Sequence, residues 1–460
     1  MDDFHVIVAA NRGLALDAKG DLSFGSGGLV SALMPAIQGR KLTWISAPPY
    51  SGDANFVPKD FDSHVADGIT LDTVPMDFET YNGAYDRISN ETLWFLHHNL
   101  FDATYRPTFD HSWYENFEAY RTYNQKFAQK IAEAASEKSL VLIQDYHLSL
   151  LPHYLSQLRP ELKVSHFSHT PISEPSVWTM LPDEIAREII LGISKAKMGV
   201  GFHTTKWRDN FLDCSKAYGI DSPYAFSLPL GTNPEELDET RHHQDFKGYQ
   251  DQFTSLCENR QLIVRVDRLE PSKNILRGFH AYDELLSANQ ELKERVVFLA
   301  LINPSRSSLD IYRQYRENIE VLVSSINEKY GTPNWNPIEL RIGDNRIQSM
   351  AALSLADVIF VNPVRDGLNL VAKEGPIINQ RNGILALSRE AGAFAELRDS
   401  SIEIHPMDVS QSAGALYKAL TLDKDERTLL SRSAKARCSS YTARNWLDDL
   451  IEITAGRQSY

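Results

Sequence analysis

Two successive series of short β-branched apolar runs, separated by longer stretches with helical spacing, constrain this 460-residue chain more than any other feature. "FHVIVAA", "LTWISA", "SLVLIQD", "KVSHFSH" and "MGVGFH" form the first series; "QLIVRVD", "RVVFLALI", "IELRIG", "DVIFVNP" and "GILALS" form the second. Runs apolar on both faces predict strands of a parallel sheet covered by helices on both sides. The intervening "WYENFEAYRTYNQKFAQKIAEAA" and "LPDEIAREIILGI" have helical spacing, the latter with Asp183 and Glu184 at its favourable amino end. Two such series predict an α/β chain of two Rossmann-like doubly wound domains facing a central cleft, where open sheets bind ligands beyond their strand ends. The polar stretch at 231–250 has no strand pattern and reads as the boundary. The expected domains are residues 1–235 and 236–440. A C-terminal helix over 441–460, amphipathic in "YTARNWLDDLIEITAGR", should pack back on the first domain.

Composition removes several function classes. The net charge is −14, from 47 basic and 61 acidic residues interspersed without long runs. A nucleic-acid or anionic-membrane partner would favour a basic patch instead. Cys214, Cys257 and Cys438 are far apart and in no CxxC pattern, which argues against a disulfide framework or thiolate zinc site. No apolar run approaches the roughly 18 residues needed to cross a bilayer. The amino terminus lacks a basic signal-peptide region, so a cytoplasmic protein is expected, and a homo-oligomer is compatible with the sequence.

The strand ends carry the chemistry. After the first strand stands Arg12, and then Gly25, Gly27 and Gly28 before the helical "LVSALMPAI". Such a turn either brings backbone N–H groups to a phosphate or is a plain turn; its spacing is not that of a dinucleotide site. Asp145 ends "VLIQD" and either caps the following helix or faces the cleft. His166 and His169 end the next strand without a carboxylate or Cys to complete a metal set, so His169 reads as a hydrogen-bonding group. Arg268 and Lys273 span a strand-to-helix turn in "VRVDRLEPSKN", with Ser272 as expected N-cap, and suit a diphosphate. Arg306 stands at another strand end. In "NPVRDGLNLVAKE", Asp366 falls in the turn and Glu374 in the helix after it; carboxylates beside a diphosphate should contact sugar hydroxyls. Pro376 predicts a break or kink in that helix.

In order along the chain, "AANRG", "SGGL", "SNETLWFLHH", "QDYHL", "HFSHTP", "VDRLEPSKN", "PVRDGLNLVAKE" and "LSREAGAFAEL" resemble the trehalose-6-phosphate synthase family, retaining glycosyltransferases of the GT-B fold. The resemblance covers nearly the whole chain. It implies transfer of glucose from a nucleotide-glucose (UDP-, GDP- or ADP-glucose) to glucose 6-phosphate, without cofactor or metal. The first domain then binds the acceptor and the second the nucleotide-sugar. It assigns Gly28, Arg268 and Lys273 to the donor diphosphate. Asp366 and the backbone of Gly367, Leu368, Asn369, Leu370 and Val371 go to the donor sugar, Glu374 to the ribose, and His169 to the sugar near its 6-hydroxyl. Asp145 is placed on acceptor hydroxyls at the reaction centre, and Arg12, Tyr85, Trp94 and Arg306 on the acceptor sugar and phosphate. Trp44 lines the same pocket. Asp145, His169, Arg268 and Lys273 are the expected catalytic groups.

The chain departs from the family pattern in three places. Gln144 replaces the usual His before "DYH", "LEPSKN" replaces "LDYSKG", and Asp344 stands in "RIGDNR" where many relatives have an aromatic residue. Base preference stays open on this ground. So does the acceptor, since glucosylglycerol-phosphate synthases and cyclitol-joining pseudo-glycosyltransferases share these motifs, and a non-catalytic sugar-phosphate sensor is a further alternative.

Overall fold

The computed structural model describes residues 4–16, 22–23, 28–48, 50, 62–306 and 309–457. The chain divides into two compact units, one of residues 1–230 with 443–460 and one of residues 231–442.

The first unit is built on an eight-stranded sheet. Its spatial order is Ala225–Ser227, Val200–Phe202, Lys163–Ser168, Ser139–Gln144, His5–Ala10, Leu42–Ser46, Ile69–Thr73 and His64–Ala66. Every pair is parallel except the edge hairpin made by the last two. Val8 lies between Leu142 and Trp44, and Ile7, Val141 and Ile45 are fully buried, as expected of strands covered on both faces. The 24-residue helix His111–Ala134 is capped by Asp110, whose carboxylate accepts from the Trp113 N–H at 2.9 Å. The helix Ala443–Ala455 packs on this unit: Trp446 is fully buried, its indole N–H donates to the Leu228 carbonyl at 3.1 Å, and its ring meets Phe167 edge-on.

The second unit holds a six-stranded, all-parallel sheet. Its order is Ile338–Ile342, Val296–Asn303, Gln261–Arg268, Val358–Val361, Ile384–Ser388 and Ile402–Ile404. In both sheets the first strand of the unit has later strands on either side, which creates a point where strand order reverses. The residues following His5–Ala10 and Gln261–Arg268 therefore emerge at those points.

Some expectations need correction. The stretch 231–250 opens the second unit and is helical rather than patternless, carrying the helix Pro234–Arg241 and the first five residues of Phe246–Cys257. Ser272 is not the N-cap; it lies in a single 3-10 turn, and Asn274 precedes the helix Ile275–Ala288. The helix Leu370–Ile378 is not broken at Pro376 and runs two residues past it. Strands Ile69–Thr73, Ala225–Ser227 and Ile402–Ile404 were too short or too polar to stand out.

Candidate active site

In the first unit the expected residues gather beyond the strand ends. Asp145 follows Ser139–Gln144 with φ 72° and ψ 171°, a region that is almost glycine's alone. Such a conformation costs roughly 1–3 kcal/mol and persists only where surroundings enforce it. Here the Asp145 N–H donates to the Phe167 carbonyl at 2.7 Å, and its own carbonyl lies 3.2 Å from His166 Nε2. The side chain makes no capping bond. Instead its Oδ1 accepts from the N–H groups of His169 at 3.1 Å and Thr170 at 3.3 Å. Burial pushes this carboxyl up to about 6, against the pull of those donors.

His166 is fully buried, and burial pushes it down to about 4. His169 is held well below the usual histidine value by burial, then by His203 and His166. Its Nδ1 lies 3.1 Å from His203 Nε2, and its Nε2 lies 2.9 Å from Gln144 Oε1. Arg12 is exposed, with Nη2 3.4 Å from the hydroxyl of Tyr85. Tyr85 stacks between Tyr81 and His147 at 5.1 and 5.6 Å.

Burial limits what two of the expected aromatic rings present. Trp44 is 1% exposed within a strand covered on both faces, and its indole N–H holds the Arg12 carbonyl at 3.0 Å. Trp94 is 7% exposed, with its ring stacked on His98 at 3.9 Å. Neither ring offers a pyranose an open face; Trp44 acts by fixing the backbone of Arg12. Gly28 begins the helix Gly28–Ile37, whereas Gly25 and Gly27 lie outside the described residues.

In the second unit the site is a set of ion pairs. Lys273 pairs with Asp366, and the Asn369 amide donates to the same Asp366 oxygen at 3.1 Å. Burial opposes the charge on Lys273, but Asp366 and Asp267 outweigh it and hold its pKa above the usual value. Arg268 lies 3.1 Å and Arg306 3.8 Å from one oxygen of Glu270, a fully buried carboxylate that also accepts from Ser305 at 3.1 Å. Arg306 has φ 44° and bonds the Tyr312 hydroxyl at 2.7 Å. Beneath them the buried pair Arg265–Asp267 at 2.8 Å braces the turn, with Arg265 also donating to the Lys273 carbonyl at 2.7 Å.

The loop 366–369 rests against 390–393. Gly392 N–H donates to the Asp366 carbonyl and Ala393 N–H to that of Leu368. A Cβ on Gly392 would stand 1.9 Å from the Gly367 carbonyl oxygen, so only glycine permits this approach. Asn369, at φ 79°, caps the helix Leu370–Ile378 by accepting from the Ala372 N–H at 3.0 Å. Leu370 and Val371 form its first turn, whose N–H groups lack carbonyl partners within the helix. Glu374 lies 3.1 Å from Arg346, which also holds Glu236 at 2.9 Å. Lys373 turns away and pairs with Glu396 at 2.7 Å, so this cation of the motif supports the fold. Asp344 accepts from the Asn303 amide at 3.2 Å.

Sequence reading overlooked Glu270, His203, Arg346 and Glu236. His203 ended a recognised strand run and Glu270 sat in a noted motif departure, but their partners are remote in sequence. Among the described residues, no three or more His, Cys, Asp or Glu side chains are grouped to hold a metal, and no helix is long and apolar enough to cross a membrane.

Two doubly wound units with polar clusters beyond their strand ends match the GT-B fold. The sequence pattern of Glycosyltransferase family 20 matches residues 8–455, and the chain belongs to that family. A trehalose-6-phosphate synthase of Mycobacterium avium is 30% identical over 453 residues, covering 93% of this chain and 90% of that protein. An alpha,alpha-trehalose-phosphate synthase (UDP-forming) of Aspergillus fumigatus is 31% identical over 451 residues, covering 94% and 85%. The crystal structure of an alpha,alpha-trehalose-phosphate synthase (UDP-forming) of Burkholderia xenovorans in complex with glucose-6-phosphate superposes with a TM-score of 0.88. It is 25% identical and covers 98% of this chain and all of that one.

Proposed function

We propose that this protein is a trehalose-6-phosphate synthase, moving glucose from a nucleotide-glucose to the 1-hydroxyl of glucose 6-phosphate with retention at the anomeric carbon. The observation that carries the reading is the strained Asp145, held in a glycine-like conformation by two strands with its carboxylate fixed by His169 and Thr170. Strain of this kind is maintained where geometry serves chemistry. Family membership and the relatives' names support the same reading.

In this reaction the bond from the anomeric carbon to the diphosphate oxygen breaks. The acceptor's 1-hydroxyl oxygen bonds to the same face of that carbon, and its proton passes to the departing diphosphate. Arg268 and Lys273 stabilise the charge that develops on the leaving group, and the amino end of the helix Leu370–Ile378 adds N–H donors. Lys273 must exchange Asp366 for the diphosphate, which frees Asp366 for sugar hydroxyls. Glu374, oriented by Arg346, takes the ribose. Asp145 binds acceptor hydroxyls, and Arg12 and Tyr85 form one contact of the acceptor phosphate. The donor is UDP-glucose, as the names of the relatives suggest. No metal takes part.

The test is direct. Purified protein is incubated with UDP-, GDP- or ADP-glucose and with glucose 6-phosphate or glycerol 3-phosphate, and products are identified by mass. Trehalose 6-phosphate formed fastest from UDP-glucose is the expected result. Product from glycerol 3-phosphate alone would move the chain to a different acceptor class, and no product from any pair would favour a sensor.

A further inference from the structure

His169 stands in a hydrogen-bonded row whose direction can be read from one end. The Leu230 backbone N–H, which can only donate, points at His203 Nδ1 at 3.3 Å. That nitrogen must accept, so the proton of a neutral His203 lies on Nε2. His203 Nε2 is 3.1 Å from His169 Nδ1, which therefore accepts in turn, leaving the His169 proton on Nε2. That N–H meets Gln144 Oε1 at 2.9 Å. The Gln144 amide cannot face the other way, because its Nε2 donates to the Leu142 carbonyl at 3.3 Å. Every link agrees with its neighbours, and Gln144 and His203 are both buried.

We propose that Gln144 and His203 are positioning residues that hold His169 neutral with its proton on Nε2, so that a sugar hydroxyl reaching this nitrogen accepts the N–H, sharing it with Gln144 Oε1 or taking it over. The functional half of this rests on the reading of His169 as a donor-sugar contact. The titratable groups facing His169 are Asp145, whose carboxylate takes the His169 backbone N–H, with His166 and His203. A proton added at His169 Nδ1 would confront the His203 N–H, so the row resists an imidazolium. Gln144 suits this arrangement because its carbonyl accepts the Nε2 proton without carrying a charge that would draw a second one.

The experiment uses nitrogen-15 imidazole spectra of the full chain, with His169 assigned by His169→Asn, alongside the pH profile of kcat/KM for nucleotide-glucose. The native protein should show the Nε2–H form of His169, with no protonated imidazolium near neutral pH. Gln144→Glu places a carboxylate on the Nε2 proton. His169 should then protonate at higher pH than in the parent, and kcat/KM should fall more steeply than in the parent as pH drops from 8 to 6. His203→Leu should leave mixed tautomers and raise the donor KM about three- to tenfold, and His203→Gln, which restores a donor, should recover most of this. An Nδ1–H or mixed spectrum in the native protein overturns the row itself. Variants that shift the tautomer yet leave the donor KM unchanged overturn the placing of His169 on the donor sugar instead.

Discussion

The polar groups of the two units are prepared in opposite ways. In the first, burial keeps the histidines neutral and lifts the Asp145 carboxyl, and each side chain is locked by bonds to backbone or to another neutral group. In the second, the groups are charged and pair with one another: Lys273 with Asp366, Arg268 and Arg306 with Glu270, and Arg346 with Glu236 and Glu374. The buried histidines and Asp145, locked by their bonds, meet a ligand through geometry, because their partners need little rearrangement. A self-paired charged set meets a diphosphate through exchange, since every cation has a carboxylate to leave. The contrast suits the two substrates, one presenting hydroxyls at the reacting end and the other a leaving group that gathers negative charge.

The contrast can be broken most forcefully in the second unit. Arg268→Ala or Lys273→Ala should lower turnover roughly a hundredfold or more, measured as kcat at saturating donor. Near-normal turnover in both variants would remove the diphosphate assignment.

The first unit should respond to pH instead. With the Asp145 carboxyl at about 6, activity that needs its ionised form should fall about tenfold between pH 7 and pH 5. The stability effect has the opposite sign. Because the folded-state value is raised, the folded protein prefers the protonated acid, and stability is lost as pH rises from the unfolded value near 4 through 6. Asp145→Asn should therefore melt higher than the parent at pH 8, by up to about 3 kcal/mol, and match it near pH 3.5. An acid limb unaltered in this variant would separate activity from Asp145.

Smaller effects sharpen the comparison. Raising sodium chloride to about 0.5 M should raise the donor KM several-fold, because screening weakens phosphate contacts with partly exposed Arg268. The tautomer of His169 should not respond. Arg346→Met should raise the donor KM only a few-fold, since it loosens Glu374 without removing it. Thorough chelation of divalent ions should leave the rate unchanged; loss restored by one added metal would overturn the proposal that no metal takes part.

Much of this was legible in the linear chain. All ten strand runs of the two series appear as strands, because β-branched runs buried on both faces have few other uses. Arg268, Lys273, Asp366 and Glu374 are brought into short-range networks because they flank strand ends, and doubly wound sheets collect strand ends at a reversal of order. The aromatic residues were harder to read, for a physical reason. A tryptophan in or beside a buried strand can equally be core or binding surface, and periodicity does not tell which side is covered. Trp44 and Trp94 proved to be covered.

The local pattern of apolar runs, turn residues and charges determined the fold class and most of the chemical groups, since those depend on neighbours within a few positions. Tertiary structure alone decided which charges pair, which groups meet the histidine ring nitrogens, and where the backbone is strained. Glu270 gathers Arg306 from 36 positions away, as the residue numbers show, and His169 is oriented by Gln144, at the end of one strand, and His203, just beyond another. Such partners are chosen by strand order and burial, which no short stretch of sequence carries.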